Sequence, residues 1–169
     1  MKKLLVPIVL FTTIFLLGVT PSLVSAKSQW QWPTEGKVIS KPGMRHTPVT
    51  GEYRMHHGID IRNKKGTLIF SARSGRVAAI NRSAHHSASN EGGGYGNYVV
   101  IRHSNGQYSI YAHLSKVLTK MGRRVNGGEL IGKMGNTGLT HTVHLHFGIG
   151  PTLWVNQNTI NPLKVLPRR

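Results

Sequence analysis

The apolar residues of this chain come in short runs, and that limits the folds open to it. Beyond residue 27, runs such as Leu68-Ile69-Phe70 and Val99-Val100-Ile101 are cut every few positions by Gly, Asn, Pro or Ser. No stretch repeats its apolar positions at a helical period for more than about three turns. The 20 glycines lie between these runs, where they serve turns. The pattern predicts a mainly β domain, with strands over Lys37–Ser40, Ile59–Ile61, Thr67–Ala72, Arg76–Ile80, Asn97–His103, Gln107–His113, Leu130–Lys133 and His144–Ile149. Arg82–Gly96 reads as a polar, Gly-rich loop. Leu114–Gly128 reads as a long connection containing a helical turn.

The first 26 residues have the make-up of an export signal. Lys2 and Lys3 precede a mostly apolar Leu4–Val19, and Val24-Ser25-Ala26 offers small residues for cleavage. The apolar run is short for a membrane span and holds Pro7, so no stable membrane anchor is expected. What remains, 27–169, is the length of one domain, expected to be a monomer without a repeat or appended module. The chain has no Cys, which excludes both a lipidated cysteine and a disulfide framework.

Formal net charge is +17, and removal of the signal takes Lys2 and Lys3 with it, leaving about +15. Such a surface attracts polyanions. For an exported protein the anionic polymers and free carboxylates of a bacterial wall are the first partners met, and a specific nucleic-acid role is disfavoured.

Ten His and a single Asp carry the chemistry. Asp60 follows His56 by four positions in Met55-His56-His57-Gly58-Ile59-Asp60, with Gly58 permitting a tight turn between them. Imidazole and carboxylate suit zinc, which in catalytic sites takes three protein ligands. A third is expected from His144-Leu145-His146, whose two imidazoles share one strand face while Leu145 packs behind. His113 ends another expected strand and could add a catalytic imidazole. On spacing alone, a zinc site and scattered surface histidines both stay open.

Of the rest, His57 is expected on the opposite face from His56, and His85, His86, His103 and His141 in solvated loops or strand ends. Arg45 and His46 could line a groove. Tyr95 and Tyr111 read as core aromatics, and Trp30, Trp32 and Trp154 as packing the sheet ends.

Longer stretches add a resemblance. Gly43–Ile61, Gly66–Val77, Gly92–His103, Tyr111–Ser115, the Gly122, Val125, Gly128, Ile131-Gly132 spacing and Asn136–Phe147 occur in an order that resembles the lysostaphin/LytM-type zinc peptidases, metallopeptidase family 23. The likeness covers about Trp32 to Ile149. It implies a two-layer antiparallel β-sheet domain of the duplicated-hybrid-motif type, with a groove walled by Arg82–Gly96, Leu114–Gly128 and the segment before His56. It implies one Zn2+ per chain on His56, Asp60 and His146, with His113 and His144 as catalytic residues. The implied activity is that of a secreted metalloendopeptidase acting on peptidoglycan peptides. Members with eroded sites are non-catalytic regulators, and this chain keeps all five positions. It departs from the family pattern at Thr140–Val143, beside the HxH pair.

Overall fold

Period-two alternation decides which residues of the central strands meet the core. The computed structural model describes residues 29–86, 93–154 and 158–169, so the export segment expected at 1–26 lies outside the described residues. The strands are β1 (Lys37–Ser40), β2 (Gly43–His46), β3 (Tyr53–His56), β4 (Ile59–Arg62), β5 (Leu68–Phe70), β6 (Gly75–Asn81), β7 (Tyr98–His103), β8 (Tyr108–Ala112), β9 (Leu114–Val117), β10 (Arg124–Val125), β11 (Leu130–Met134) and β12 (Leu145–Gly150). Among the described residues the sole helix is a 3-10 turn at Pro162–Lys164, and none is long and apolar enough to cross a membrane.

Seven strands form one sheet in the order β1-β4-β12-β8-β7-β6-β10, three form a second in the order β5-β11-β9, and β2 and β3 make a separate hairpin. Every pairing is antiparallel. The expected two-layer β architecture is what the chain adopts. One face of the large sheet sends Ile59, Ile61, Val99, Ile101, Tyr111, Leu145 and Phe147 against Ile69, Ile131 and Met134 of the small one, forming the main core. The opposite face carries the intervening residues, His146 and Asp60 among them. These two are direct cross-strand partners of β12 and β4, which places their side chains in reach of each other.

A glycine makes that pairing possible. A Cβ on Gly58 would sit 2.4 Å from the Phe147 carbonyl oxygen and 2.9 Å from His146 Cε1. Only a residue without a side chain lets the His56-to-Asp60 turn lie so close to β12.

All eight expected strands appear within two residues of their expected ends. Leu114–Gly128 does not hold a helical turn: it contributes β9 to the small sheet and β10 to the edge of the large one. The sequence pattern hid both because β9 has only two apolar residues and β10 is two residues long. The β2–β3 hairpin was also invisible, since its exposed strands lack a buried face. Trp30 is buried, whereas Trp154 is 46% exposed and meets the Tyr98 ring in a T-shaped contact.

His103 also departs from expectation. It is a strand-end residue of β7, but it is buried rather than solvated. Its Nδ1 lies 3.0 Å from the Ser74 carbonyl and its Nε2 2.8 Å from Ser109 Oγ, which bonds on to the Tyr111 hydroxyl. Trp30 stands edge-on to its ring. Burial pushes the imidazole down to about 4, against the Ser74 hydrogen bond and with a smaller push from Arg73. The unfolded chain keeps an ordinary value near 6.5. Folding therefore retains this contribution above about pH 6.5 and loses it as pH falls toward 4, by about 3 kcal/mol in total. Urea unfolding of the metal-free protein at pH 7.5 and pH 4.5 is expected to show an acid-induced loss of stability that is smaller by about this amount in His103→Gln. Equal acid losses in both proteins would refute the account.

Candidate metal centre

Three elements bring the site together. His56 closes β3, Asp60 sits in β4 just after the Gly58 turn, and His146 lies across from Asp60 on β12. All three are buried, and one ligand atom from each lies within 4.8 Å of the others. His56 Nε2 is 3.0 Å from both Asp60 Oδ1 and His146 Nδ1, and His146 Nδ1 is 3.1 Å from Asp60 Oδ1. The three atoms form a nearly equilateral triangle. Ligands about 2.0–2.1 Å from a tetrahedral zinc would stand about 3.3 Å apart.

The hydrogen bonds behind the triangle fix what its atoms can be. His56 Nδ1 lies 3.0 Å from the Lys41 carbonyl oxygen, an acceptor only, so Nδ1 carries the proton and Nε2 presents a lone pair. Asp60 Oδ1 presents lone pairs as well. At most one proton, on His146 Nδ1, separates the three facing atoms, and His146 Nε2 is enclosed with no protein partner. Such a concave set of acceptors fits a divalent cation. The other carboxylate oxygen, Oδ2, accepts a hydrogen bond from Arg45 at 3.0 Å, so each oxygen of Asp60 has a separate task.

Burial on its own would raise the Asp60 carboxyl. The hydrogen bonds with His146 and His56, and the nearby His146 and His144, outweigh it and hold the group far below the usual carboxylate range. Burial pushes His146 down, against the opposing pull of Asp60. Both ligating forms, carboxylate and neutral imidazole, are therefore favoured at neutral pH.

Two further imidazoles complete the cluster. His144 Nδ1 donates to the Thr142 carbonyl at 2.9 Å, leaving Nε2 as an acceptor 3.5 Å from Asp60 Oδ1. His113 Nδ1 donates to the Thr137 carbonyl at 2.8 Å, and its ring lies 4.8 Å from that of His144 and 6.1 Å from that of His146. Burial pushes His113 down to about 3, helped by His144 and His146 and opposed by the Thr137 bond and Asp60. The Thr137 carbonyl is held in place by a close backbone crossing. Gly138 has φ of 79°, and a Cβ there would stand 2.3 Å from Gly96 N. His113 itself has φ of 62°, a left-handed conformation that costs a residue with a side chain about 1 kcal/mol. That strain is stored beside the other four groups.

The structure thus gathers all five residues singled out in the sequence, His56, Asp60, His113, His144 and His146. They line a groove in two connected halves of about 420 and 370 Å³, with Arg45, Pro48, His113 and Leu139 common to both. Its walls are the β2–β3 hairpin, Gly93–Tyr95 and Leu139–Thr142. Leu114–Gly128, expected as a wall, lines neither half because it is spent on β9 and β10. His57 lines the groove beside His56 rather than facing away, since the chain leaves the strand at His56 and alternation ends there. Tyr95 is half-buried in the wall, 5.7 Å from the His146 ring, whereas Tyr111 is a core aromatic as expected. Arg45 lines the groove and His46 does not; the latter bonds the Gly51 carbonyl and leans on Tyr53. His85, His86 and His141 are exposed. The carbonyls of Lys41, Thr137 and Thr142 left no signal in the sequence, because any residue supplies a carbonyl.

Known proteins carry the same arrangement of chain. Murein hydrolase activator NlpD of Escherichia coli is 37% identical over 142 residues, which is 84% of this chain and 32% of that protein. A zinc-containing peptidase from Vibrio cholerae superposes with a TM-score of 0.66 at 28% identity, covering 83% of this chain and 41% of that one. The catalytic domain of the antimicrobial peptidase lysostaphin from Staphylococcus simulans gives 0.65 at 28% identity, covering 76% of this chain and 90% of that domain. The chain spans no more than about a third of the length of the curated relatives it matches. Peptidase family M23 matches residues 54–162, well over half of the sequence, and the protein belongs to that family.

Proposed function

We propose that this protein is a zinc metalloendopeptidase that hydrolyses peptide bonds of bacterial peptidoglycan. The observation that carries the reading is the triangle of His56 Nε2, Asp60 Oδ1 and His146 Nδ1 at 3.0–3.1 Å, flanked by two imidazoles whose Nδ1 protons are both tied to carbonyls. His56, Asp60 and His146 would hold one zinc ion per chain, which when bound supplies Lewis acidity for hydrolysis. The Thr137 and Thr142 carbonyls orient His113 and His144 so that each offers Nε2 as a proton acceptor. One of the two takes a proton from the attacking water, and the other steadies the developing oxyanion or passes a proton to the leaving amine. The strongly basic surface suits anionic wall polymers. The export signal read at the N-terminus would deliver the chain, as a monomer, to the wall.

One finding favours a second reading. The NlpD relative is named as an activator of murein hydrolases, so the same fold can serve as a non-catalytic regulator. Retention of the five groups supports the enzyme. Purified, zinc-loaded protein is expected to release soluble peptides from isolated peptidoglycan, identified by mass spectrometry, and a chelator is expected to stop the release. Intact walls after incubation with fully zinc-loaded protein would leave the regulator.

A further inference from the structure

The charges lining the groove are unbalanced. Among the described residues Asp60 is the only acidic group in either half, and both its oxygens are engaged, Oδ1 by the imidazoles and Oδ2 by Arg45. Two more arginines line the groove, Arg62 in the half with Asp60 and Arg54 in the half with His57 and Tyr95. Arg45 and Arg54 are direct cross-strand partners in the β2–β3 hairpin. Like charges placed opposite each other destabilise a strand pair unless an anion offsets them. Arg45 has that anion in Asp60. Among the described residues Arg54 has as its acidic partner Glu52, two positions back, at 3.8 Å, with both side chains more than half exposed. A pair so long and so solvated contributes little to stability and exchanges readily for a better partner.

We propose that Arg54 seats a free carboxylate of the substrate peptide, so that this protein prefers peptides carrying an ionised carboxylate close to the bond it cuts. The proposal rests on the reading of the groove as that of a peptidase. A guanidinium offers two parallel N–H donors that match a carboxylate, and the Tyr95 phenol in the same wall is a further donor. In the absence of peptide, Glu52 occupies the seat loosely. A bound carboxylate displaces it.

The test uses the full zinc-loaded protein with two dye-labelled probes, an Ala-D-Ala-D-Ala tripeptide and its C-terminal carboxamide. Binding is read by fluorescence anisotropy in the first seconds and cleavage separately by chromatography. The carboxylate is expected to bind about tenfold more tightly than the amide. Arg54→Gln is expected to bring the two to equality without lowering the thermal midpoint, Arg54→Lys to leave an intermediate preference, and Glu52→Gln to improve carboxylate binding about two- to threefold. Equal binding of both probes by the unaltered protein, or a preference that survives Arg54→Gln, would overturn the proposal. Discrimination by a zinc-loaded protein that leaves isolated peptidoglycan intact upholds the carboxylate seat and counts against the peptidase. Hydrolysis of peptidoglycan without discrimination does the reverse.

Discussion

Replacing Asp60 by Asn is expected to abolish zinc binding and peptide hydrolysis together while leaving the metal-free fold standing. Asn has the shape of Asp, so the β4–β12 pairing across from His146 is undisturbed. Its amide can still donate to the His56 Nε2 lone pair 3.0 Å away. Arg45 loses its counter-charge, but a third of that side chain is exposed and can turn to water. What disappears is the one anionic ligand. Loss of an outer partner of a metal ligand costs roughly 10–100-fold in affinity, and loss of a charged ligand must exceed that. Arg45→Gln, which removes only the bond to Oδ2, is therefore expected to fall within the 10–100-fold range, with Asp60→Asn well beyond it. Chelator competition measures both affinities. Thermal unfolding gives a second reading, because zinc at 100 times its Kd stabilises the unaltered protein by about 2.7 kcal/mol. No such shift is expected in Asp60→Asn. A variant that still gains stability with zinc, or still opens walls, would show that Asp60 is not a ligand.

How far the sequence reveals this site depends on whether side chain or backbone carries the information. The pairing of His56 with Asp60 and of His144 with His146 is legible because it follows from local periodicity and a glycine turn, both properties of a few adjacent residues. Core strands such as Val99–Ile101 announce themselves by burial on both faces. The hairpin of β2 and β3 does not, since Met44, Tyr53 and Met55 are apolar yet exposed, and its strands are held by the register of Arg45 with Arg54 and of Gly43 with His56. Its presence over the groove is a tertiary fact. So is the burial of His103, which no local pattern distinguishes from exposed His141. Arg45 and Tyr95 reach the site across gaps of 15 and 51 residues to Asp60 and His146. The carbonyls that set the imidazole tautomers belong to Lys41, Thr137 and Thr142, whose side-chain identity does not encode that task. Legibility therefore ends where backbone geometry, rather than residue type, supplies the chemistry.

Truncation of His113 is expected to separate chemistry from metal binding. His113 belongs to none of the three facing atoms, so His113→Ala should bind zinc within a few-fold of the unaltered protein. The residue pays about 1 kcal/mol of backbone strain at φ 62°, and Ala would inherit that strain while losing only the Thr137 hydrogen bond and ring packing. Turnover, by contrast, should fall by roughly 10²–10⁴, the usual contribution of a positioned proton acceptor or donor. Burial pushes the ring down to about 3, so it is neutral, with Nε2 open as a hydrogen-bond acceptor, throughout the physiological range. The comparison with His144→Ala then distinguishes two arrangements. If the imidazoles, 4.8 Å apart, serve one continuous proton path, the double variant should be no slower than the worse single one, because groups acting as a unit are strongly non-additive. If one accepts from water while the other independently steadies the oxyanion, the losses should multiply. A His113→Ala protein that keeps more than about a tenth of its turnover, with zinc in place, would remove this residue from the proton chemistry and leave its strained backbone without a functional reason.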